Sequence, residues 1–234
     1  MCPSHSKSIP KEYKFKHKKA PDMSRKLLQD ILDRYNKALR VWLVGTGEPI
    51  LNPNFFDLVK ECVKRKMIVN TFSNGFAIKN YKGKLVNCGL DRICISINGQ
   101  NSEEFNRITG MPKDYYHIIT ENISSLVETR NEMNSKTKIE LSFIIDQFNY
   151  LNIEQMIKVS GKFGIDSVSL NNFLPTPYVG LTPAERCLFE NDSNIKGEIK
   201  RLKKLKFSCS VIWPKLLSDC LQDRKKCRWP FRMI

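Results

Sequence analysis

The residues best suited to chemistry fall in short turns rich in Gly and Asn. Gly45-Thr46-Gly47-Glu48-Pro49 sets one carboxylate beside two glycines. Glycines there let the backbone approach a ligand closely, and an acid suits an amine or another cation. Ser73-Asn74-Gly75 makes a tight polar turn, and Ser96, Asn98 and Gly99 follow Ile95 closely. Ser142 interrupts a later apolar run, and Asn171-Asn172 ends another. Each of these, taken alone, is also what an ordinary turn or strand end contains.

Thiols are the second resource. The chain has eight: Cys2, Cys62, Cys88, Cys94, Cys187, Cys209, Cys220 and Cys227, with no Cys-x-x-Cys pair. In a cytosolic chain they are reduced thiols, metal ligands or catalysts before they are disulfides. Cys62 and Cys94 lie in apolar runs and read as small core residues. Cys2, Cys220 and Cys227 sit among polar or turn residues near the two ends. The three histidines, His5, His17 and His117, lack paired spacing and read as solvated surface.

These turns have to be held by something, and the periodicity between them supplies it. Ser24 is expected to cap a helix carrying Leu27, Leu28, Ile31 and Leu32 on one face and ending near Tyr35. A buried strand at Val41 to Val44 follows. Asn54 is placed to cap a second helix bearing Phe55, Leu58, Val59, Cys62 and Val63. The unit then repeats. Strands are expected at Met67–Phe72, Arg92–Ile97, Ile139–Ile145, Ser167–Leu170 and Ser208–Ile212. Helices are expected at Tyr81–Val86, Tyr116–Arg130, Ile153–Phe163 and Ile195–Lys206.

Strands alternating with helices indicate an α/β fold with a parallel sheet, in which ligands sit at the carboxyl ends of the strands. The polar turns all fall at that rim, which makes them one candidate site. The pattern opens on a helix, so a first strand before it is expected to be absent. The expected architecture is a partial (β/α)6 barrel over 1–212, followed by a linker and cysteine-containing end over 213–234.

The chain of 234 residues is 41% hydrophobic and 27% charged, which excludes collagen-like and wholly disordered classes. It contains no apolar run of about 18 residues and no signal-peptide core, so a cytoplasmic location is the expectation and a membrane partner is not. Its net charge of +15 would suit a polyanion, but no basic-aromatic RNA motif accompanies it, and nucleic acid is not the favoured partner.

Several of these segments resemble motifs of the radical S-adenosylmethionine (SAM) enzymes. Met1-Cys2-Pro3-Ser4 is similar to the end of the family's Cys-x3-Cys-x2-Cys loop, and Gly45-Thr46-Gly47-Glu48-Pro49 to its Gly-Gly-Glu-Pro motif. Ser73-Asn74-Gly75 resembles its Thr-Asn-Gly turn, and Ile95-Ser96-Ile97-Asn98-Gly99 its Ile-Ser-Ile-Asp-Gly. The likeness runs in order from residue 1 to about 172. Where many relatives have Arg before a later Gly, this chain has Thr109, with Arg107 nearby.

The resemblance implies a 4Fe-4S cluster on three thiolates, with SAM on the open iron. Reductive cleavage then yields a 5'-deoxyadenosyl radical that abstracts hydrogen from a peptide or small-molecule substrate, with a flavodoxin or ferredoxin as reductant. It implies Cys2 as cluster ligand, Met1 near adenine, and Glu48 with the Gly45–Pro49 backbone on the SAM amino group. Ser73, Asn74, Ser96, Asn98 and Ser142 are the remaining cofactor candidates. Cys227-Arg228-Trp229-Pro230 resembles the opening of the SPASM extension, which implies Cys227 as ligand of an auxiliary iron-sulfur cluster. One thiolate in the loop cannot hold a cubane, so the chain reads as cut short at its N-terminus. A binding protein that has lost its cluster and a basic RNA-binding module are the other classes the sequence leaves open.

Overall fold

The computed structural model describes residues 21–45, 47–173, 188 and 193–214. Helix α1 spans Arg25–Arg34, and the Ser24 hydroxyl accepts from the Leu27 N–H as its cap. Strand β1 (Arg40–Leu43) is followed by α2 (Phe55–Lys64), β2 (Ile68–Ser73), α3 (Lys82–Asn87) and β3 (Arg92–Ser96). Then come α4 (Ser102–Thr109), α5 (Asp114–Glu132), β4 (Lys138–Ile145), α6 (Ile153–Gly161), β5 (Ser167–Asn172), α7 (Ser193–Leu202) and β6 (Ser210–Ile212). None of the described helices is long and apolar enough to cross a membrane.

The six strands form one parallel sheet in the order β1-β2-β3-β4-β5-β6. Each crossover moves the same way, so right-handed connections stack every helix on one face. An order without reversal is that of a sheet winding towards a barrel, and it differs from a doubly wound sheet, where the order turns back. The expected α/β partial-barrel class is therefore the one observed.

Side chains alternate between the two faces of a strand. One face carries Val41, Val69, Ile93, Ile95, Ile139, Leu141, Phe143, Val168 and Leu170, and these pack with Leu28, Leu58, Cys62, Ile123, Leu126 and Met156 of the helices into the core. The other, inner face is polar along much of its width. The strand register aligns Cys94 with Glu140 and Ser167, and Ser96 with Ser142 and Ser169.

Three local expectations change. Leu27 and Val63 are exposed, so the buried stripes of α1 and α2 are narrower than the periodicity suggests. Asn54 occupies the position before α2 but makes no side-chain cap: its backbone is already helical (φ −88°, ψ −3°), and its amide donates to the Met23 carbonyl. Helix α4 is an addition to the predicted elements: the Asn101 side chain accepts from the Glu104 N–H, Glu104 accepts from the Gln100 N–H, and Gly110 closes the helix at φ 73°.

Candidate functional site at the carboxyl rim

The loops leaving β1 and β2 meet around Glu48. Its Oε2 accepts from the Asn74 backbone N–H at 2.7 Å. Its Oε1 is buried and has no hydrogen-bond partner among the described residues. Burial pushes the Glu48 carboxyl above its ordinary value, opposed by the Asn74 amide, the Ser73 hydroxyl and the Ile50 amide. An enclosed acceptor without a donor is costly, and native structures usually retain one only where something else completes it.

The Ser73-Asn74-Gly75 turn exists to present that amide. Ser73 Oγ accepts from the Gly75 N–H at 3.0 Å, and Asn74 Oδ1 accepts from the Phe76 N–H at 2.9 Å. Gly75 adopts φ +83°, and a Cβ there would stand 2.8 Å from Ile119 Cγ2 and 3.0 Å from Ile95 Cγ2. Only glycine meets both demands. From α5, the buried Asn122 donates to the Gly75 and Phe76 carbonyls at 2.9 and 3.0 Å, fixing the turn from behind. Among the described residues no atom lies within 4 Å of where a Cβ would stand on Gly45 or Gly47. That leaves room over this loop for a ligand.

The weaker candidates differ in availability. Asn98 is buried at φ 53°, and its carboxamide oxygen accepts from the Ile144 N–H, tying the end of β3 to β4. Ser142 Oγ accepts from Asn171 Nδ2 at 3.0 Å on the inner face. Ser96, one strand over from Ser142, is partly exposed on the same face. Gly99 is held by packing, since a Cβ there would meet the Phe105 backbone nitrogen at 2.5 Å. Arg107 pairs with Glu104 at 3.5 Å, and Thr109 Oγ donates to the Phe105 carbonyl within α4. Met1, Cys2, Thr46, Cys220 and Cys227 lie outside the described residues.

Deeper on the inner face sits a network that sequence reading does not find. Glu140 is 4% exposed and accepts from Arg92 at 2.6 Å, from the Cys94 thiol at 3.3 Å and from Ser167 at 3.0 Å. Burial, then the Glu140 charge, pushes the Cys94 thiol far above its ordinary value. Cys94 is thus buried as expected, but against a carboxylate, and its run Ile93-Cys94-Ile95 conceals the change of face. Cys62 is a core thiol of α2, raised by burial to about 11. Among the described residues no group of three or more His, Cys, Asp or Glu could hold a metal ion.

Comparison with known proteins places these features. The chain is 25% identical over 170 residues to the tungsten-containing aldehyde ferredoxin oxidoreductase cofactor-modifying protein of Pyrococcus furiosus, covering 70% of this chain and 44% of the relative. It is 27% identical over 158 residues to a probable GTP 3',8-cyclase of Metallosphaera sedula, covering 67% and 46% respectively. The crystal structure of Streptococcus suis SuiB bound to the precursor peptide SuiA superimposes with a TM-score of 0.64 at 15% identity, over 88% of this chain and 46% of that one. At such identity the structural likeness is one of fold. The chain spans less than half the length of each of these three proteins. A family model described as the Radical SAM superfamily matches residues 1–145, which is more than half of the sequence. That match decides what fold alone cannot, and the chain belongs to the radical SAM superfamily.

Proposed function

We propose that this chain is the core of an enzyme that binds SAM at the carboxyl rim of its sheet and uses it on a peptide or small-molecule substrate. The observation that carries this reading is Glu48 Oε1, a buried acceptor with no donor, beside a loop with open space over two glycines. An ammonium group is the natural partner for such an oxygen. Glu48 would accept the SAM amino group, held in place by the Asn74 amide. Ser96 and Ser142, on the adjoining inner wall, would face the ribose and carboxylate. Asn98 would hold the strand ends on which they stand, its oxygen being engaged by Ile144.

Cys2 would supply a thiolate to a 4Fe-4S cluster, with Met1 beside the adenine. Bound there, cluster and SAM supply reductive carbon-sulfur cleavage and a radical able to remove a hydrogen atom. The chain's own part is to bind, orient and exclude water. Electrons would come from a small carrier such as a flavodoxin or ferredoxin, and Cys227 would be a ligand of an auxiliary cluster.

The test is anaerobic reconstitution of the full-length protein with iron and sulfide, followed by calorimetric titration with SAM. Iron-sulfur absorption together with SAM binding that weakens in Glu48→Gln is the expected result. A colourless protein that binds SAM through Glu48 would select the cluster-free binding protein instead. Absence of both signals would overturn the reading.

A further inference from the structure

The inner face of the sheet is divided in a way the SAM site does not explain. Trp42 of β1 and Phe72 of β2 stack there, with ring centroids 5.1 Å apart and planes inclined by 26°. Phe72 is 37% exposed, and Val44, the next residue in the same alternation, is 54% exposed. The neighbouring polar residues Asn70, Glu140 and Ser142 are buried. Large apolar groups open to solvent beside buried polar ones reverse the usual order and mark a surface that meets a ligand. Phe72 stands two residues before Asn74, so the stacked pair lies directly below the Glu48 rim.

Charge narrows what that ligand can be. Among the described residues the inner face carries three cations, Arg40, Arg92 and Lys138, and each is the first residue of its strand. They stand at the end of the sheet opposite Glu48, with Arg92 bound to Glu140 and Lys138 bound to Asp166. The half nearest the rim has aromatic rings on β1 and β2 and neutral polar groups, Ser96, Ser142 and Asn171, on β3 to β5. A nucleotide would bring phosphates to a part of the inner face whose described strand residues include no cation. An uncharged ring lies flat on the aromatic pair, and the exposed Asn171, to which the SAM reading gives no role, suits a peptide amide. Exposed Leu51, Phe76 and Leu151 on the loops leaving the same rim extend the apolar surface beyond one small molecule's reach.

We propose that Trp42 and Phe72 form the platform on which this protein seats an uncharged aromatic side chain of a peptide substrate, within the reading of the site given above. The pair sets substrate specificity and takes no part in holding SAM.

The test is ligand-observed NMR titration of the folded chain with acetyl-Gly-Phe-Gly-amide, acetyl-Gly-Glu-Gly-amide and GTP, in parallel with SAM. The Phe peptide is expected to bind more tightly than the Glu peptide and GTP. Phe72→Ala and Trp42→Leu should each weaken it about tenfold, as loss of an aromatic contact does. Phe72→Leu, which keeps bulk without the ring, should lie between, and circular dichroism should show all three folded. Glu48→Gln should leave the Phe peptide unaffected while weakening SAM, so the platform and the cofactor reading fail separately. Tighter binding of GTP or of the Glu peptide, no binding of the Phe peptide, or affinity unchanged in folded Phe72→Ala would overturn the proposal.

Discussion

The backbone amide of Asn74 donates to Glu48 Oε2 at 2.7 Å, so the turn after the second strand fixes the carboxylate after the first. The partner is a main-chain group and survives any change of the Asn74 side chain that keeps the turn. What can be altered is the acid itself. Glu48→Gln should weaken SAM binding about tenfold or more, the usual loss when a charged hydrogen bond is removed. Burial raises the folded-state pKa of Glu48 above 4.5. Wild-type affinity should therefore fall as the pH is lowered through that raised value, while the Gln variant stays weak and flat. In stability the sign is opposite: ionised Glu48 costs folding energy, so the wild type should gain on Glu48→Gln as acid protonates it. Calorimetry and denaturant melts across pH check both halves.

Gly75 holds a backbone conformation and a close approach that an L side chain does not tolerate. Gly75→Ala forces a left-handed backbone on an L side chain and drives its Cβ into Ile119 and Ile95. The expected cost is about 2–4 kcal/mol. Ile119→Ala, which removes the Cγ2 that meets the new Cβ, should cost less in the Gly75→Ala background than in the wild type, because the clash eases while the backbone strain does not. Urea unfolding of the single and double variants measures the division.

Asp166 ties β4 to α5 and the start of β5, accepting from Arg130 at 2.6 Å, Lys138 at 2.8 Å and the Ile139 N–H at 2.9 Å. Desolvation works to raise its pKa, but Lys138, the Ile139 amide and Arg130 outweigh it and hold the carboxyl below its usual 3.8. A lowered carboxylate pKa stabilises the fold above the unfolded value and loses that effect as pH falls through the folded one. Asp166→Asn should thus lower the unfolding free energy at neutral pH by about 1–3 kcal/mol, and the gap to wild type should close below pH 3.8. Guanidinium melts at stepped pH values report it.

Cys62 and Cys94 should resist alkylation in the native protein. Both thiols are buried and raised, Cys62 to about 11 and Cys94 further still, so neither presents a thiolate at about pH 8. Mass spectrometry after iodoacetamide treatment should find both unmodified without denaturant and both modified with it. Modification of native Cys94 would show that the inner face opens to solvent.

The order of strands and helices is legible in the sequence because apolar runs and Gly or Asn turns alternate without ambiguity from Val41 onward. Helix α4 was also written there, as Asn101-x-x-Glu104 ahead of Phe105 and Gly110, though its short length leaves little periodicity to read. The Glu48 loop announces itself through its two glycines. Its supports do not: Asn122 reaches the Gly75 turn from 47 residues away in the chain. The Arg92–Glu140–Ser167 network likewise joins residues 48 and 27 apart, and only the parallel register brings them together. Cys94 misleads for a simpler reason, since two isoleucines flank it and strand alternation sends them to the opposite face.

That alternation has an evolutionary consequence. Because odd and even positions of each strand serve different masters, the core that holds the fold together and the wall that greets a substrate can mutate independently. Replacing Trp42 or Phe72 changes what the chamber admits without opening a hole beneath the helices. A scaffold built so can acquire new substrates one inward-facing residue at a time without disturbing the Glu48 turn or the isoleucine layer.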